Sequence, residues 1–393
     1  MPNILHIVAT DGEARAGLLR THHGDVPTPA FMPVATQGSV KAVDPFDLKG
    51  LGATILLANT YHLYLRPGIE VIRRQGGLHS FMSWDGPILT DSGGFQGYSL
   101  EHLRQIGEEG ITFKSHIDGS VHLLTPEAAI DYQESLGVDI AMALDVCPPY
   151  GGGKADLDES MQITHRWAIR CLERHTNKKQ ALFGIIQGGS FADLRAESAE
   201  FLTSLDFPGY AIGGLSVGEP KEMMYRMAQF TTGLLPNGKP RYLMGVGSPE
   251  DLVECVARGI DLFDCALPTR IARNSALFVH TGRLNIDTAP YREQEGPIEE
   301  GCDCFTCQHF SAAYLHHLFR ARELLAYRLA TIHNLRFVIR LMEEMREAIF
   351  CGAFEEYRQR FHKRFIPPDE TVRIIQKEKW LEAQGRPRPA RPP

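Results

Sequence analysis

Short apolar runs alternate eight times with amphipathic, helix-like stretches over the part of the chain that ends near Ala276. We interpret the runs as strands at residues 31–34, 54–58, 87–90, 139–144, 181–186, 209–212, 241–244 and 262–266. Helix starts are marked by a Ser or Thr cap followed by proline, as at Thr125-Pro126 and Ser248-Pro249. Eightfold alternation predicts an α/β chain folded as a parallel (β/α)8 TIM-type barrel. An open doubly wound sheet is the alternative, which the lack of a G-x-G-x-x-G motif after the first run disfavours.

Polar or glycine-rich residues stand at the ends of most of these runs. They are Asp91-Ser92-Gly93-Gly94 at the third run, Asp145 at the fourth, Gln187 at the fifth, Gly213-Gly214-Leu215 at the sixth, Gly245-Val246-Gly247 at the seventh and Asp264 in the eighth. Barrel enzymes carry their chemistry on the loops at the carboxyl ends of the strands. We therefore predict that these residues surround one pocket. Taken singly, each aspartate can instead cap a helix, and each glycine can simply make a tight turn.

The carboxylates Asp91 and Asp264 suit this pocket to glycosyl transfer. One carboxylate can attack an anomeric carbon, and another can move a proton to or from the leaving group. The glycines leave backbone amides and carbonyls open to the flat edge of a purine-like base, and Asp145 and Gln187 add acceptors and donors to the same edge. The side chains that can cover the faces of such a base are Phe95 and Met244.

Three cysteines follow the pattern Cys302-x-Cys304-x-x-Cys307, and His333 comes 26 positions later. Three thiolates and one imidazole make a tetrahedral zinc set, and a site filled by four protein ligands has no open position for catalysis. We therefore predict one structural Zn²⁺ in an insertion of the barrel. His333 is expected to return to the cysteines between two helices, over roughly 310–330 and 335–350. The alternatives are cysteines that cluster without a metal, or a fourth ligand from among His309, His316 and His317.

Composition narrows the class of protein. The other five cysteines are scattered, which fits a metal site in a reducing compartment better than a disulfide framework. The formal net charge of −7 argues against general affinity for nucleic acid, so RNA binding requires a local basic surface.

No leader or membrane-spanning apolar run is seen, so we expect a cytoplasmic protein without a membrane segment. We divide the chain into a barrel with N-terminal antiparallel strands (1–278), a zinc-binding subdomain (279–334), C-terminal helices that complete the barrel (335–384) and a disordered tail (385–393).

Together these residues resemble the bacterial tRNA-guanine transglycosylases over about residues 5 to 365. The matching stretches are Phe31-Met-Pro-Val, Asn59-Thr-Tyr-His-Leu, Arg66-Pro-Gly, Leu89-Thr-Asp-Ser-Gly-Gly-Phe-Gln, Phe183-Gly-Ile-Ile-Gln-Gly, Tyr242-Leu-Met-Gly-Val-Gly, Phe263-Asp-Cys, Leu267-Pro-Thr-Arg, and the set Cys302, Cys304, Cys307 and His333. The carboxylates and the zinc ligands match in order. The resemblance implies a pentosyltransferase that exchanges the wobble guanine of tRNAs with a G-U-N anticodon for a deazaguanine base, as a step of queuosine biosynthesis.

The resemblance also implies roles for individual residues. Asp264 resembles the nucleophile that attacks ribose C1′ and leaves the tRNA covalently attached, and Asp91 resembles the general acid/base. The implied base contacts are Ser92, Gly93, Gly94, Phe95, Asp145, Gln187, Gly214, Leu215 and Met244. The implied RNA contacts are Gly245, Val246, Gly247, Ser248, Pro249, Glu250, Asp251, Thr269, Arg270, Ile271, Ala272 and Arg273. A homodimer is implied as well, with contacts from Phe81, Phe310, Tyr314 and His317, for which a buried aromatic core is the alternative.

The identity of the incoming base is less constrained than the reaction. The departures from the usual bacterial pattern are Val146, the Gly97-Tyr98 pair and Ser216. Val217 stands where the queuine-using eukaryotic relatives have glycine, and a bulkier residue there favours the small 7-aminomethyl-7-deazaguanine. Queuine is the alternative base. A non-catalytic RNA-binding paralogue is the alternative function, against which the intact Asp91 and Asp264 argue.

Overall fold

A computed structural model describes residues 4–94 and 104–369. Its strands are β1 (Leu5–Asp11), β2 (Ala14–Thr21), β3 (Gly24–Thr28), β4 (Ala30–Met32), β5 (Val34–Ala35), β6 (Leu56–Asn59), β7 (Ile88–Asp91), β8 (Arg104–Gly107), β9 (Gly110–Lys114), β10 (Val121–Leu124), β11 (Ile140–Met142), β12 (Ala181–Ile186), β13 (Gly209–Ile212), β14 (Arg241–Leu243), β15 (Leu262–Asp264), β16 (Ala276–Val279) and β17 (Gly282–Asn285). Its α-helices are α1 (Pro45–Gly50), α2 (Thr60–Leu65), α3 (Ile69–Arg74), α4 (Leu78–Met82), α5 (Pro126–Leu136), α6 (Lys154–Arg174), α7 (Ala192–Ser204), α8 (Lys221–Thr232), α9 (Pro249–Val256), α10 (Leu267–Ala272), α11 (Phe305–His309), α12 (Ala312–Ala321), α13 (Leu324–Phe350) and α14 (Phe354–Arg364). Phe95, Gly97, Tyr98 and the predicted tail lie outside the described residues.

Eight parallel strands close into a barrel. The hydrogen-bonded order is β4-β15-β14-β13-β12-β11-β7-β6-β5, which begins and ends with the two halves of one strand. Phe31 of β4 pairs with Phe263 of β15, and Val34 of β5 pairs with Leu57 of β6. Pro33 separates the halves, because proline has no N–H to donate to a neighbouring strand. The predicted (β/α)8 barrel is therefore confirmed, and the open sheet is excluded.

The inside of the barrel is filled by side chains. Strand β12 is buried along its whole length, which explains why its sequence is continuously apolar. Its Phe183 occupies the space that Gly209 of the next strand leaves open, since a Cβ at Gly209 would come within 2.4 Å of the Phe183 ring. A packed interior leaves space for a ligand only beyond the ends of the strands.

Smaller sheets surround the barrel. Strands β1, β2 and β3 form an antiparallel sheet in that order. A second antiparallel sheet, β8 to β10, lies between β7 and α5 and was not predicted. The hairpin of β16 and β17 leads through a 3₁₀ turn at Ala289–Tyr291 to the cysteine-bearing segment. Within the described ranges, no helix is long and apolar enough to cross a membrane.

The helices after the cysteines differ from the sequence-based prediction. The first, α12, ends at Ala321 because Arg322 takes a left-handed conformation with φ of 58°. The second, α13, then runs without interruption from Leu324 to Phe350. The predicted break near residues 331–334 was therefore wrong: no glycine or proline interrupts residues 324–350, and His333 lies inside the helix.

Candidate active site and metal centre

A cavity of about 1730 Å³ opens at the carboxyl ends of the barrel strands. Asp91 is the last residue of β7, Asp264 is the last residue of β15, and Asp145 follows β11. All three carboxylates line this one cavity, together with Gly214, Leu215, Met244, Gly245 and Arg270. The strand directions thus bring together the residues that the sequence placed at strand ends.

Asp91 is fixed at the start of helix α2. The Asn59 side-chain amide donates to Asp91 Oδ2, and the Thr60 backbone N–H donates to Oδ1 over 3.1 Å. The Thr60 hydroxyl donates to the Asp91 backbone carbonyl over 2.5 Å. Only 9% of Asp91 is exposed. Both side-chain oxygens of Asp91 therefore accept hydrogen bonds that fix the orientation of the group.

Asp145 is a buried carboxylate with two side-chain donors. Gln187 Nε2 donates to Oδ2 over 2.7 Å, and Ser92 Oγ donates to Oδ1 over 3.3 Å. Burial raises the pKa of Asp145 to about 6, against the opposing effect of these hydrogen bonds. The Gly94 backbone N–H donates to Ser92 Oγ over 3.2 Å. A planar carboxylate in this setting can accept two parallel N–H groups from one edge of a base.

Glycines form the wall beside Asp145 because no side chain fits there. A Cβ at Gly213 would lie 2.7 Å from Gln187 Nε2, and a Cβ at Gly214 would lie 2.6 Å from Gln187 Oε1. Gly214 also has a φ of +64°, which favours glycine. A Cβ at Gly94 would lie 2.7 Å from the Asp145 carbonyl oxygen. The backbone of Gly214 is thereby left open to the cavity.

Asp264 is held through only one of its two carboxylate oxygens. The Tyr242 hydroxyl and the Gly245 backbone N–H donate to Oδ1 over 2.6 and 2.8 Å. Among the described residues no donor reaches Oδ2. Burial raises the pKa of Asp264, and the two hydrogen bonds oppose that rise. The carboxylate is therefore oriented while one oxygen stays available for nucleophilic attack.

The segments predicted to bind RNA lie at the cavity rim with unequal exposure. Gly245 and Arg270 are exposed, and Ser248, Asp251 and Arg273 are partly exposed. The buried members are Val246, Gly247, Pro249, Glu250, Thr269, Ile271 and Ala272. Buried side chains can shape the rim but cannot reach an RNA. Arg358, in helix α14, forms ion pairs with Glu254 and Glu355.

The four predicted metal ligands converge in a buried cluster. His333 Nδ1 lies 3.8, 3.5 and 3.4 Å from the sulfur atoms of Cys302, Cys304 and Cys307. His333 Nε2 contacts the Phe278 carbonyl oxygen at 2.7 Å, so the tautomer that donates this hydrogen bond leaves the Nδ1 lone pair facing the sulfurs. The group can hold one metal ion. Of the rival histidines, His316 is engaged with the Ile286 carbonyl oxygen.

Three contributors to the site were not recognised from the sequence. Asn59 and Tyr242 stand within stretches that carried the family resemblance, but nothing in a linear motif shows that they orient Asp91 and Asp264. Glu219 accepts hydrogen bonds from the Ser216 and Val217 backbone N–H groups, the latter over 3.0 Å. Because the Ser216 N–H is turned to Glu219, the Leu215 carbonyl of the same peptide points the opposite way.

Comparisons with known proteins place the chain in a family. A family model described as Queuine tRNA-ribosyltransferase matches residues 11–366. Curated relatives of that name include one from Dehalococcoides mccartyi, 55% identical over 382 residues and 97% of each chain, and one from Herpetosiphon aurantiacus, 58% identical over 364 residues and 93% of each chain. A third, from Caldanaerobacter subterraneus, is 58% identical over 354 residues, which are 90% of this chain and 94% of the relative. The chain therefore belongs to the queuine tRNA-ribosyltransferase family of enzymes.

Proposed function

We propose that this enzyme exchanges the wobble guanine of tRNAs with a G-U-N anticodon for 7-aminomethyl-7-deazaguanine, as a step of queuosine biosynthesis in the cytoplasm. The observation that carries the proposal is the Asp264 carboxylate, which accepts hydrogen bonds through Oδ1 alone among the described residues. It lines the same cavity as Asp145 and Gly214, the groups that would bind the edge of a base. A nucleophile for ribose and a recognition edge for a purine-like base together suit base exchange through a covalent intermediate.

The exchange takes two displacements. Asp264 Oδ2 forms a bond to ribose C1′ while the bond from C1′ to guanine N9 breaks, so that the tRNA becomes esterified to the protein. Asp91 delivers a proton to the departing guanine and later takes the N9 proton of the incoming base. That base then bonds to C1′ and releases the Asp264 carboxylate. The tRNA keeps its backbone intact throughout.

The base lies with its polar edge against the glycine wall. The Asp145 carboxylate accepts hydrogen bonds from the ring N1–H and from the exocyclic amine of a guanine-type base. Ser92 and Gln187 hold that carboxylate in place. The Leu215 carbonyl, which points away from Glu219, accepts a hydrogen bond from the aminomethyl group of the deazaguanine. Met244, which is partly buried at the cavity wall, covers one face of the ring.

Val217 excludes the larger base, queuine, by its bulk. It is partly exposed at the cavity wall, where a cyclopentenyl substituent would have to pass. Competition between 7-aminomethyl-7-deazaguanine and queuine for entry into tRNA should favour the former. Val217→Gly should narrow this preference, whereas equal use of both bases by the wild-type protein would make queuine a substrate and contradict the proposal.

tRNA binds across the rim where Gly245 and Arg270 are exposed. Arg270 makes no ion pair within the described part of the chain, so its guanidinium is available to phosphates and base edges. Arg273 supports it from the end of α10, where its side chain also donates to the Thr269 carbonyl over 3.0 Å. The positive charges of these two arginines give tRNA a local contact in a protein whose net charge is −7.

The metal is zinc, with a structural role. Three thiolates and an imidazole fill a tetrahedral coordination sphere, and bound zinc would tie helix α13 to the cysteine segment. We expect one zinc per chain by elemental analysis, and Cys304→Ser should lose the zinc and lower the unfolding temperature. Cys351→Ser, at an exposed cysteine, is the matched control and should retain both. Full zinc content in Cys304→Ser would contradict the assignment.

A homodimer is formed through the aromatic cluster of Phe81, Phe310, Tyr314 and His317. Phe310 stacks on Tyr314 with ring centroids 5.5 Å apart, and 40% of Tyr314 and 39% of Phe81 are exposed. This exposure argues against a buried aromatic core and suits a contact with a second copy. Tyr314→Asp should shift the sedimentation coefficient from dimer to monomer. A wild-type monomer at micromolar concentration would contradict the proposal.

Radiolabelled guanine tests the reaction itself. The label should enter tRNA with guanine at the wobble position and not tRNA with adenine there. Asp264→Asn should abolish both this exchange and a protein–tRNA adduct on denaturing gels, because an amide is a poor nucleophile. Asp206→Asn, at an exposed aspartate, should change neither. tRNA binding without exchange by the wild-type protein would favour the non-catalytic RNA-binding alternative.

A further inference from the structure

Arg195 is a fully buried cation behind the base-binding wall. It lies on helix α7, where its Nε donates to the Gly189 carbonyl over 2.6 Å and its Nη2 donates to the Gly213 carbonyl over 3.0 Å. Burial lowers its pKa to about 10, which leaves the guanidinium charged at neutral pH. Its side chain is 0% exposed.

The surroundings of Arg195 are unusual for a buried charge. Within the described chain it forms no ion pair, and its Nη1 has no hydrogen-bond partner. Removing an ion from water is unfavourable, and buried arginines ordinarily offset this with an ion pair to a carboxylate. An apolar side chain would fill the same space at lower cost. What the guanidinium supplies is a pair of hydrogen bonds to two loops, one after β12 and one after β13.

The contact with Gly213 sets the direction of the next backbone N–H. The cis peptide bonds of the described chain are Thr28-Pro29 and Arg66-Pro67, so the Gly213-Gly214 peptide is trans. In a trans peptide the C=O and N–H vectors are antiparallel. Because the Gly213 carbonyl turns outward to Arg195, the Gly214 N–H turns inward, and Gly214 lines the cavity. No acceptor for this N–H is present among the described residues.

We propose that Arg195 is a positioning residue that aims the Gly214 N–H at the carbonyl oxygen at position 6 of the bound guanine-type base. The inference rests on the proposed function. Asp145 accepts from N1–H and the 2-amino group, and the Gly214 N–H donates to the oxygen beside N1. With donor and acceptor both fixed, the wall distinguishes a 6-oxo base from a base without that oxygen.

The test compares guanine with 2-aminopurine, which keeps the 2-amino group and lacks both the oxygen at position 6 and the hydrogen on N1. Their inhibition constants against incorporation of labelled 7-aminomethyl-7-deazaguanine give a discrimination ratio. Wild-type protein should prefer guanine, and Arg195→Met should reduce the ratio about tenfold through weaker guanine binding, because one hydrogen bond loses its alignment. Arg195→Lys keeps the charge and can reach one carbonyl. Its discrimination ratio should therefore lie between those of the wild type and Arg195→Met. The KM for tRNA should not change.

Arg346→Met is the matched control. Arg346 is another largely buried arginine whose guanidinium donates to a backbone carbonyl, that of Pro29 over 2.7 Å, at the opposite end of the barrel. The Arg346→Met substitution should lower the unfolding temperature and leave the discrimination ratio unchanged. An unchanged ratio in a folded Arg195→Met protein would overturn the inference and leave the exchange reaction standing. Failure of the wild-type protein to incorporate guanine would overturn the proposed function instead.

A crystal structure of the wild-type protein with guanine tests the same geometry without a substitution, should the variants not fold. The Gly214 nitrogen is expected within hydrogen-bond distance of the base oxygen, with Arg195 Nη2 still on the Gly213 carbonyl. A base oxygen that contacts other donors while Gly214 points elsewhere would overturn the inference.

Discussion

Two buried aspartates flank the same barrel strand, and they differ in their hydrogen-bond partners. Asp139 immediately precedes β11, at the amino end of the barrel, and Asp145 follows it at the carboxyl end. Asp139 is 2% exposed and Asp145 is 5% exposed. Equal burial therefore cannot explain why one serves the scaffold and the other is assigned to the cavity.

Asp139 is saturated with donors. Its Oδ1 accepts from the His23 backbone N–H and ring over 2.9 and 3.0 Å, and its Oδ2 accepts from the His79 ring and the Ile88 N–H over 3.2 and 3.0 Å. Burial alone would raise the pKa of Asp139, but these hydrogen bonds outweigh it and lower the pKa to about 2. The carboxylate joins the β2–β3 turn and helix α4 to the barrel.

Asp145 has half as many donors, and burial prevails there, raising its pKa to about 6. The remaining acceptor capacity faces the cavity, where a base can supply the missing N–H groups. The comparison teaches that the two aspartates differ in how many hydrogen bonds the protein donates to them, and not in their depth of burial. Four predictions test it.

The largest expected effect is on guanine binding. Asp145→Asn should raise the KM for guanine about a thousandfold, because it removes the charge that accepts two N–H groups of the base. Asp139→Asn should leave this KM unchanged. Steady-state incorporation of labelled guanine measures both values. Similar KM values in the two variants would contradict the different roles assigned to Asp145 and Asp139.

The second effect is on folding. Asp139→Asn should lower the free energy of unfolding by about 3 kcal/mol. The asparagine NH2 group cannot accept a hydrogen bond, so some of the backbone and histidine-ring donors around residue 139 would be buried without a partner. Asp145→Asn should lower it far less. Urea unfolding followed by circular dichroism gives both values, and the opposite ranking would contradict the assigned roles.

The third effect is the acid dependence of stability. Since the pKa of Asp139 is lowered in the folded protein, its contribution is present above the unfolded pKa near 4 and is lost as the pH falls towards 2. The stability gap between wild type and Asp139→Asn should therefore narrow by about 2 kcal/mol between pH 5 and pH 2. Urea unfolding at intermediate pH values tests this, and a constant gap would remove the ionised carboxylate as the cause.

The smallest effect is kinetic. The raised pKa of Asp145 means that the free enzyme loses the ionised acceptor as the pH falls through about 6. The kcat/KM for guanine should drop about tenfold between pH 7 and pH 5, whereas the KM for tRNA should change little. A flat profile for guanine across this range would show that the ionised form of Asp145 is not required.

The sequence predicted the architecture well because its signals were repeated and local. Eight apolar runs with polar ends fix a parallel barrel, and parallel strands all end at one side, so Asp91, Asp145 and Asp264 had to meet. The same run shows the limit of such reasoning, because an aspartate stands at each end of residues 139–145. Their different surroundings depend on partners, His23, His79 and Gln187, that no local pattern connects.

The predicted metal-binding group was found where it was expected, but for a different reason. His333 was preferred because it was expected between two helices, yet it lies well inside α13. What brings it to the cysteines is the packing of this helix, with Nε2 on the Phe278 carbonyl. The β8 to β10 sheet was missed entirely, since its strands are short and Val121 and Leu123 are exposed, which breaks the expected burial pattern.

The glycine wall limits how this enzyme could be re-engineered for unnatural bases. At Gly213 and Gly214, even a methyl group would displace the Gln187 amide, and with it the hydrogen bond that holds Asp145. Library design should therefore leave the wall intact and vary the adjoining Ser216 and Val217, which are exposed and partly exposed. Such variants could incorporate into tRNA bases that carry new substituents but keep a guanine-like edge.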